Sequence, residues 1–345
     1  MNIAILTFSK ENNYGANLQC YALSKVLENL GHSVRIIDYQ LPRRYSKNPI
    51  YNLYQYIQLI KFKSFRDKYF PPFTRKYTSK EELVNHCPKA DCYIVGSDQV
   101  WNPDITRQAG TLTYFFDFLP DDAKRISYAA SFGIDDIEKL DNRLEVEELL
   151  KKFEALSVRE HTGVELCNRL IGVKPVLALD PTLLLGDFSA FTNNVETNRL
   201  NTFFFNQKKD YYAISLDIAD RFNAEPYILG NYKRKKGFSN ISFCGVEQWL
   251  NSLANSRFVL TDSFHCTVFS ILYHRNFIVF NMPGKSNRAL TLLKELNLEH
   301  RLCLNMEDYN RRKEELTMPI DFSAVDEKME VLKSQSLQYL IDALK

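Results

Sequence analysis

Apolar and polar positions along this chain fall into blocks whose lengths predict alternating buried strands and amphipathic helices. Residues 3–8 form a short apolar run, Ile3-Ala4-Ile5-Leu6-Thr7-Phe8, as a strand buried on both faces requires. A polar loop from Ser9 to Gly15 follows. Leu18, Ala22, Val26 and Leu30 then recur at steps of four up to Gly31, which predicts a helix with a glycine stop. Val34-Arg35-Ile36-Ile37-Asp38-Tyr39 predicts the next strand. A strand, helix and strand this close together imply a parallel sheet with helices on its faces.

Residues 41–80 are rich in Tyr, Lys, Arg and Pro without a clear period. They predict an irregular or helical excursion over the sheet. Strands are predicted again at 92–95, 126–129, 155–158 and 176–179, with a helix at 142–153, completing a first domain near Leu185. The polar stretch 186–206 is expected to be a linker. Further strands are predicted at 212–215, 227–229, 241–243, 258–260 and 277–280, and helices at 247–255, 264–273, 287–297 and 324–343. The expectation is an α/β protein of two tandem Rossmann-like, doubly wound domains. These are 1–185 and 207–323, with a C-terminal helix (324–345) packing back. Ligands of such domains bind at the carboxyl ends of the strands, so the active site is expected in the interdomain cleft.

Composition narrows the function classes. The 345 residues are 45% hydrophobic and 25% charged, and 44 basic against 42 acidic residues leave a net charge of +2. That balance argues against a dedicated nucleic-acid binder. The basic run Lys233-Arg234-Lys235-Lys236 is either a solvated loop or a contact for phosphate or a membrane surface. Seven scattered cysteines without a Cys-x-x-Cys pair argue against a disulfide framework or a structural zinc, and for the cytoplasm. No basic leader opens the chain, and no window approaches the roughly 18 apolar residues of a membrane span. The 24 Phe and 19 Tyr suit a core or sugar stacking equally.

Six segments offer chemistry. Asn12-Asn13-Tyr14-Gly15-Ala16-Asn17-Leu18-Gln19 joins a strand to a helix start; it is a capped turn, or its amides Asn13, Asn17 and Gln19 bind a hydroxyl-rich substrate. Gly96-Ser97-Asp98-Gln99-Val100-Trp101-Asn102-Pro103 follows a strand. Trp101 is there a sugar platform or a buried anchor. Tyr128-Ala129-Ala130-Ser131-Phe132-Gly133 allows close backbone approach. Arg159 in Ser157-Val158-Arg159-Glu160 either grips a carboxylate or phosphate or pairs with Glu160. In Thr261-Asp262-Ser263-Phe264-His265 a strand ends, Asp262 or Ser263 caps, and His265 enters the first helical turn. It can act there as general acid or base, or bind phosphate when charged. Ser286-Asn287-Arg288 opens a later helix and offers a second anion ligand, Arg288. No metal-ligand spacing, nucleophile elbow or P-loop is present.

In this order, and with Leu179-Asp180-Pro181-Thr182-Leu183-Leu184, the segments resemble the polysaccharide pyruvyl transferase family over roughly residues 1–300. The resemblance implies a GT-B-like pair of Rossmann-like domains, with the acceptor on the N-terminal side and the donor on the C-terminal side. It implies transfer of the enolpyruvyl carbons of phosphoenolpyruvate to sugar hydroxyls, forming a cyclic ketal, with no further cofactor and no metal. The family acts on cell-surface polysaccharides, often on lipid-linked intermediates, which places the chain at the inner face of the cytoplasmic membrane. Many members have Arg-Leu-His where this chain has Ser263-Phe264-His265. The histidine is kept and the arginine is not. Arg159 matches the family's other arginine, and Arg288 is our candidate for the missing charge. His265 is expected to serve one proton transfer and Asp98 or Asp262 another. The alternatives are a GT-B-type glycosyltransferase using a nucleotide sugar and a non-catalytic sugar-binding relative.

Overall fold

The computed structural model describes residues 1–40, 46–107, 110, 112–193, 195–280 and 287–345. They fold into two compact units. The first comprises Met1–Tyr45, Lys68–Leu185 and Glu330–Lys345, and the second Ser46–Asp67 and Gly186–Met329.

The first unit holds β1 (Asn2–Leu6), β2 (Ser33–Tyr39), β3 (Phe73–Tyr77), β4 (Cys92–Val95) and β5 (Arg125–Ser127) in the order β3-β2-β1-β4-β5. All pairings are parallel. β6 (Ser157–Val158) and β7 (Val176–Leu177) form a small parallel pair, which an Ile126–Ala155 bridge ties to β5. Helix Tyr14–Asn29 is capped by Asn13, whose Oδ1 accepts the Ala16 N–H at 3.2 Å. One face of the sheet packs Ile3, Ile5 and Ile94 against Leu23 and Leu27 of that helix. The C-terminal helix Phe322–Ala343 adds Leu340 to the same cluster, and the Tyr339 hydroxyl donates to the Ser127 carbonyl at 2.7 Å.

The second unit is built on β8 (Arg199–Phe203), β9 (Glu225–Leu229), β10 (Ser239–Ile241), β11 (Phe258–Thr261), β12 (Asn276–Phe280) and β13 (Leu302–Cys303). The order β10-β9-β8-β11-β12-β13, parallel throughout, is the doubly wound order. The winding reverses between β8 and β11, where such sheets bind their ligands.

Two expectations are corrected and a third, the helical excursion after β2, is made specific. The segment 186–206, expected as a linker, carries β8 in the middle of the second sheet. Its polar residues disguised it. Asn201 and Thr202 are buried, and their side chains donate to the carbonyls of Ser252 (2.7 Å) and Tyr227 (2.9 Å), which offsets part of the cost of burying them. Residues 212–215, expected as a strand, lie in helix Lys209–Arg221. Tyr211, Ile214 and Ile218 are buried there at steps of three and four, a helical period that outweighs local β-propensity. The excursion after β2 is dominated by helix Pro49–Tyr69, which packs mainly within the second unit.

Candidate functional site

The candidate residues fall into two groups, one in each unit. In the first unit the ends of β4, β5 and β6 converge on a buried polar network. Arg159 forms an ion pair with Asp180 and donates to Ser97 Oγ at 3.1 Å. Ser97 Oγ donates to Asp180 at 2.9 Å, and the Thr182 hydroxyl to the other Asp180 oxygen at 2.6 Å. Asp98 lies 3.6 Å from Arg159 at the more open edge of this cluster. Burial alone would lower the Arg159 pKa. The carboxylates of Asp180, Asp98 and Glu160 outweigh it and hold the guanidinium above its ordinary value. Glu160 turns instead to the next loop and accepts from Ser131 Oγ (2.8 Å) and the Phe132 N–H (3.1 Å).

The backbone around this network is strained. Asp98 (φ 79°) and Ala129 (φ 49°) both adopt left-handed conformations without being glycine. Gly133 also has a positive φ (60°), and a Cβ there would press on the side-chain amides of Gln99 and Asn102.

Several expected ligands of this unit make contacts that hold the framework together. Trp101 is 0% exposed, stacks on Phe115 with ring centroids 5.1 Å apart, and donates to the Tyr114 carbonyl at 3.0 Å. It has no free face for a sugar. Asn17 donates to the carbonyls of Glu11 and Asn13, both at 2.8 Å, and Gln19 to Thr7 Oγ1 (3.0 Å), Phe8 O (3.1 Å) and Ala16 O (2.9 Å). Both amides are buried and hold the 7–13 loop onto its helix. Asn13 is the helix cap. Arg159, expected to grip a ligand anion, is buried against protein carboxylates because two of them neutralise it.

The second unit gathers the other group at its switch point. Asp262 follows β11 and accepts the backbone N–H groups of Phe205 (2.7 Å) and Asn206 (2.8 Å), just past β8. Burial pushes its carboxyl above the ordinary value, and those two N–H groups pull back against the shift. Ser263 caps helix Phe264–Leu272, its Oγ accepting the Cys266 N–H at 3.4 Å. His265 occupies the first turn, buried, with its ring edge-on to Phe264 at 5.1 Å. Arg288, in the first turn of helix Asn287–Glu295, places its guanidinium 5.6 Å from the same Phe264 ring. Phe264 therefore carries the histidine on one contact and the arginine on another. Ser286 lies outside the described residues.

Sequence reasoning missed Phe205, Asn206 and the role of Asp180. Phe205 is 55% exposed at the end of β8, beside the Asp262 carboxylate. The run Phe203-Phe204-Phe205-Asn206, apolar then polar, was the available signal of a strand end. Among the described residues no three His, Cys, Asp or Glu side chains group as metal ligands, and no helix is long and apolar enough to cross a membrane.

Solved structures share this fold at low identity. A UDP-N-acetylglucosamine 2-epimerase from Rickettsia bellii is 8% identical with a TM-score of 0.59, covering 99% of this chain and 96% of its own. The UDP-GlcNAc 2-epimerase of Methanocaldococcus jannaschii, solved with UDP-GlcNAc and UDP, is 14% identical with a TM-score of 0.55, covering 97% and 100%. That of Neisseria meningitidis, bound to UDP-GlcNAc, is 10% identical with a TM-score of 0.55, covering 98% and 100%. The fold is thus of the GT-B kind. No curated protein matches the sequence. The model of the family described as polysaccharide pyruvyl transferase matches residues 13–283, most of the chain. The chain belongs to the polysaccharide pyruvyl transferase family.

Proposed function

We propose that this chain transfers the enolpyruvyl group of phosphoenolpyruvate onto two hydroxyls of a glycan, forming a ketal and releasing phosphate. One observation carries the reading. At the switch point of the second sheet, His265 and Arg288 flank Phe264 at the start of helix Phe264–Leu272. A dianionic or trianionic donor needs positive charge around it, and Arg288 together with the positive end of a helix dipole supplies it. Arg288 takes the place of the arginine that many family members carry at the position of Ser263.

The reaction needs three events. C3 of the enol gains a proton, C2 becomes cationic, and a sugar oxygen bonds to C2. A second hydroxyl then attacks C2 and phosphate leaves. Of the two hydroxyl protons, one balances the new methyl group and the other leaves with phosphate. His265 is the group placed to carry a proton at the donor. Asp262 fixes the β8 end through the Phe205 and Asn206 N–H groups, and its raised pKa suits a second proton carrier. Arg159, tied to Asp180, holds Asp98 in place and is not assigned to the donor. No cofactor is needed beyond the donor. The setting proposed is the cytoplasm, on the scattered cysteines of the sequence.

The test pairs thermal shift with turnover. Phosphoenolpyruvate is expected to raise Tm, and Arg288→Ala to remove that rise. With a glycan acceptor, His265→Gln is expected to abolish phosphate release while leaving Tm unchanged. A rise with UDP-sugars and none with phosphoenolpyruvate would instead favour a nucleotide-sugar transferase, the ligand class named for the solved relatives.

A further inference from the structure

Helix Pro49–Tyr69 has two contrasting faces. Tyr54, Gln58, Phe62, Phe65 and Arg66 are buried. The opposite face should be polar, and it is not. Ile50 (65% exposed), Leu53 (60%), Tyr56 (61%) and Ile60 (52%) line it. At 100° per residue these four lie within an arc of about 120°. Isolated exposed apolar residues are ordinary, but a continuous stripe over three turns marks a contact surface.

Charge identifies the occupant. No Asp or Glu occurs between Asp38 and Asp67, whereas Lys47, Lys61 and Lys63 do. Lys63 pairs with Asp67, the nearest acid. The basic run is brought to the same helix. Tyr232 packs against Tyr51 and Tyr54, with ring centroids 6.0 and 5.1 Å apart, and Tyr54 donates to the Gly230 carbonyl at 2.5 Å. Lys233, Arg234 and Lys236 follow directly and are exposed. Phe243, also partly exposed, meets Tyr54 at 5.8 Å, and its carbonyl accepts from Lys61.

An apolar helical stripe flanked by lysines, with a basic loop packed against the same helix, is the pattern of a helix lying in a bilayer interface, its apolar side chains among the acyl chains and the cations at anionic headgroups. The geometry points to helix Pro49–Tyr69 and the 233–236 loop as a docking surface for an anionic lipid bilayer. The inference rests on this surface alone and not on the proposed reaction.

Vesicle co-sedimentation of the full chain tests it. Phosphatidylcholine vesicles carrying phosphatidylglycerol are expected to bind the protein, and phosphatidylcholine alone to bind it weakly. The variant Lys233→Gln/Arg234→Gln/Lys236→Gln is expected to lower partitioning roughly 100-fold at low salt. Leu53→Ser/Ile60→Ser is expected to abolish stable binding at any salt. Both alter exposed side chains, so Tm serves as the folding control. Absence of binding to the anionic vesicles overturns the inference, as does equal binding by both variants. A solution dimer by light scattering that Leu53→Ser/Ile60→Ser dissociates would also overturn it, assigning the stripe to a second copy of the chain.

Discussion

The Asp262 carboxylate accepts the Phe205 N–H at 2.7 Å, joining the carboxyl end of β11 to that of β8 where the second sheet reverses its winding. One buried charge thus fixes both walls of the candidate donor site. Its pKa is raised by burial, so between the unfolded and folded pKa values the native state binds the extra proton. Stability from this group is then present at low pH and falls as pH rises through the raised pKa. The Tm of the wild type minus that of Asp262→Asn is expected to be larger near pH 4, close to the ordinary carboxyl value, than at pH 7. A difference that grows toward pH 7 would contradict the assignment.

Phe205 offers its exposed ring at that strand end. Phosphoenolpyruvate has no apolar ring face, so the partner expected there is a sugar. Phe205→Ala is expected to raise KM for the glycan about tenfold and leave KM for phosphoenolpyruvate unchanged. As a surface change it should move Tm by no more than about 2 °C. Steady-state kinetics with each substrate varied separates the two.

Arg159 and Asp180 make a buried ion pair. Removing one partner strands the other charge. Arg159→Ala is expected to cost about 3–5 kcal/mol in urea unfolding. It should do so without ligand, whereas His265→Gln should not. Asp180→Ala in the Arg159→Ala background should cost less than the sum of the single losses.

Trp101 tests platform against anchor. It is enclosed by Phe115, Phe132 and Phe153, with ring centroids 5.0–6.0 Å away. Trp101→Ala is expected to cost about 3–5 kcal/mol by cavity formation. Trp101→Phe should recover most of that stability and full activity, an outcome a sugar platform would not give.

Much of this was legible along the chain. The apolar runs of β1, β4 and β11 are long enough and buried enough to declare a parallel sheet by themselves. The polar segment after each run marked its carboxyl end, which brought Asp98, Asp262 and His265 to notice. β8 was not legible, because Asn201 and Thr202 look like loop residues until their carbonyl partners on other segments are known. Helix Lys209–Arg221 was read as a strand because a four-residue window cannot separate local β-propensity from a period of 3.6.

The order of motifs and the residue types at strand ends determined the fold class, the family and a short list of candidate side chains. Tertiary structure decided which of those are committed to distant protein partners. Trp101, Asn17, Gln19 and Arg159 have the right chemistry for a sugar or an anion, yet each is committed to partners far from it in sequence or across a loop. Arg288 lies more than twenty residues beyond Phe264 and still packs on its ring. Burial and pairing depend on contacts between distant segments, and a linear pattern reports only the side chain, not what neutralises it.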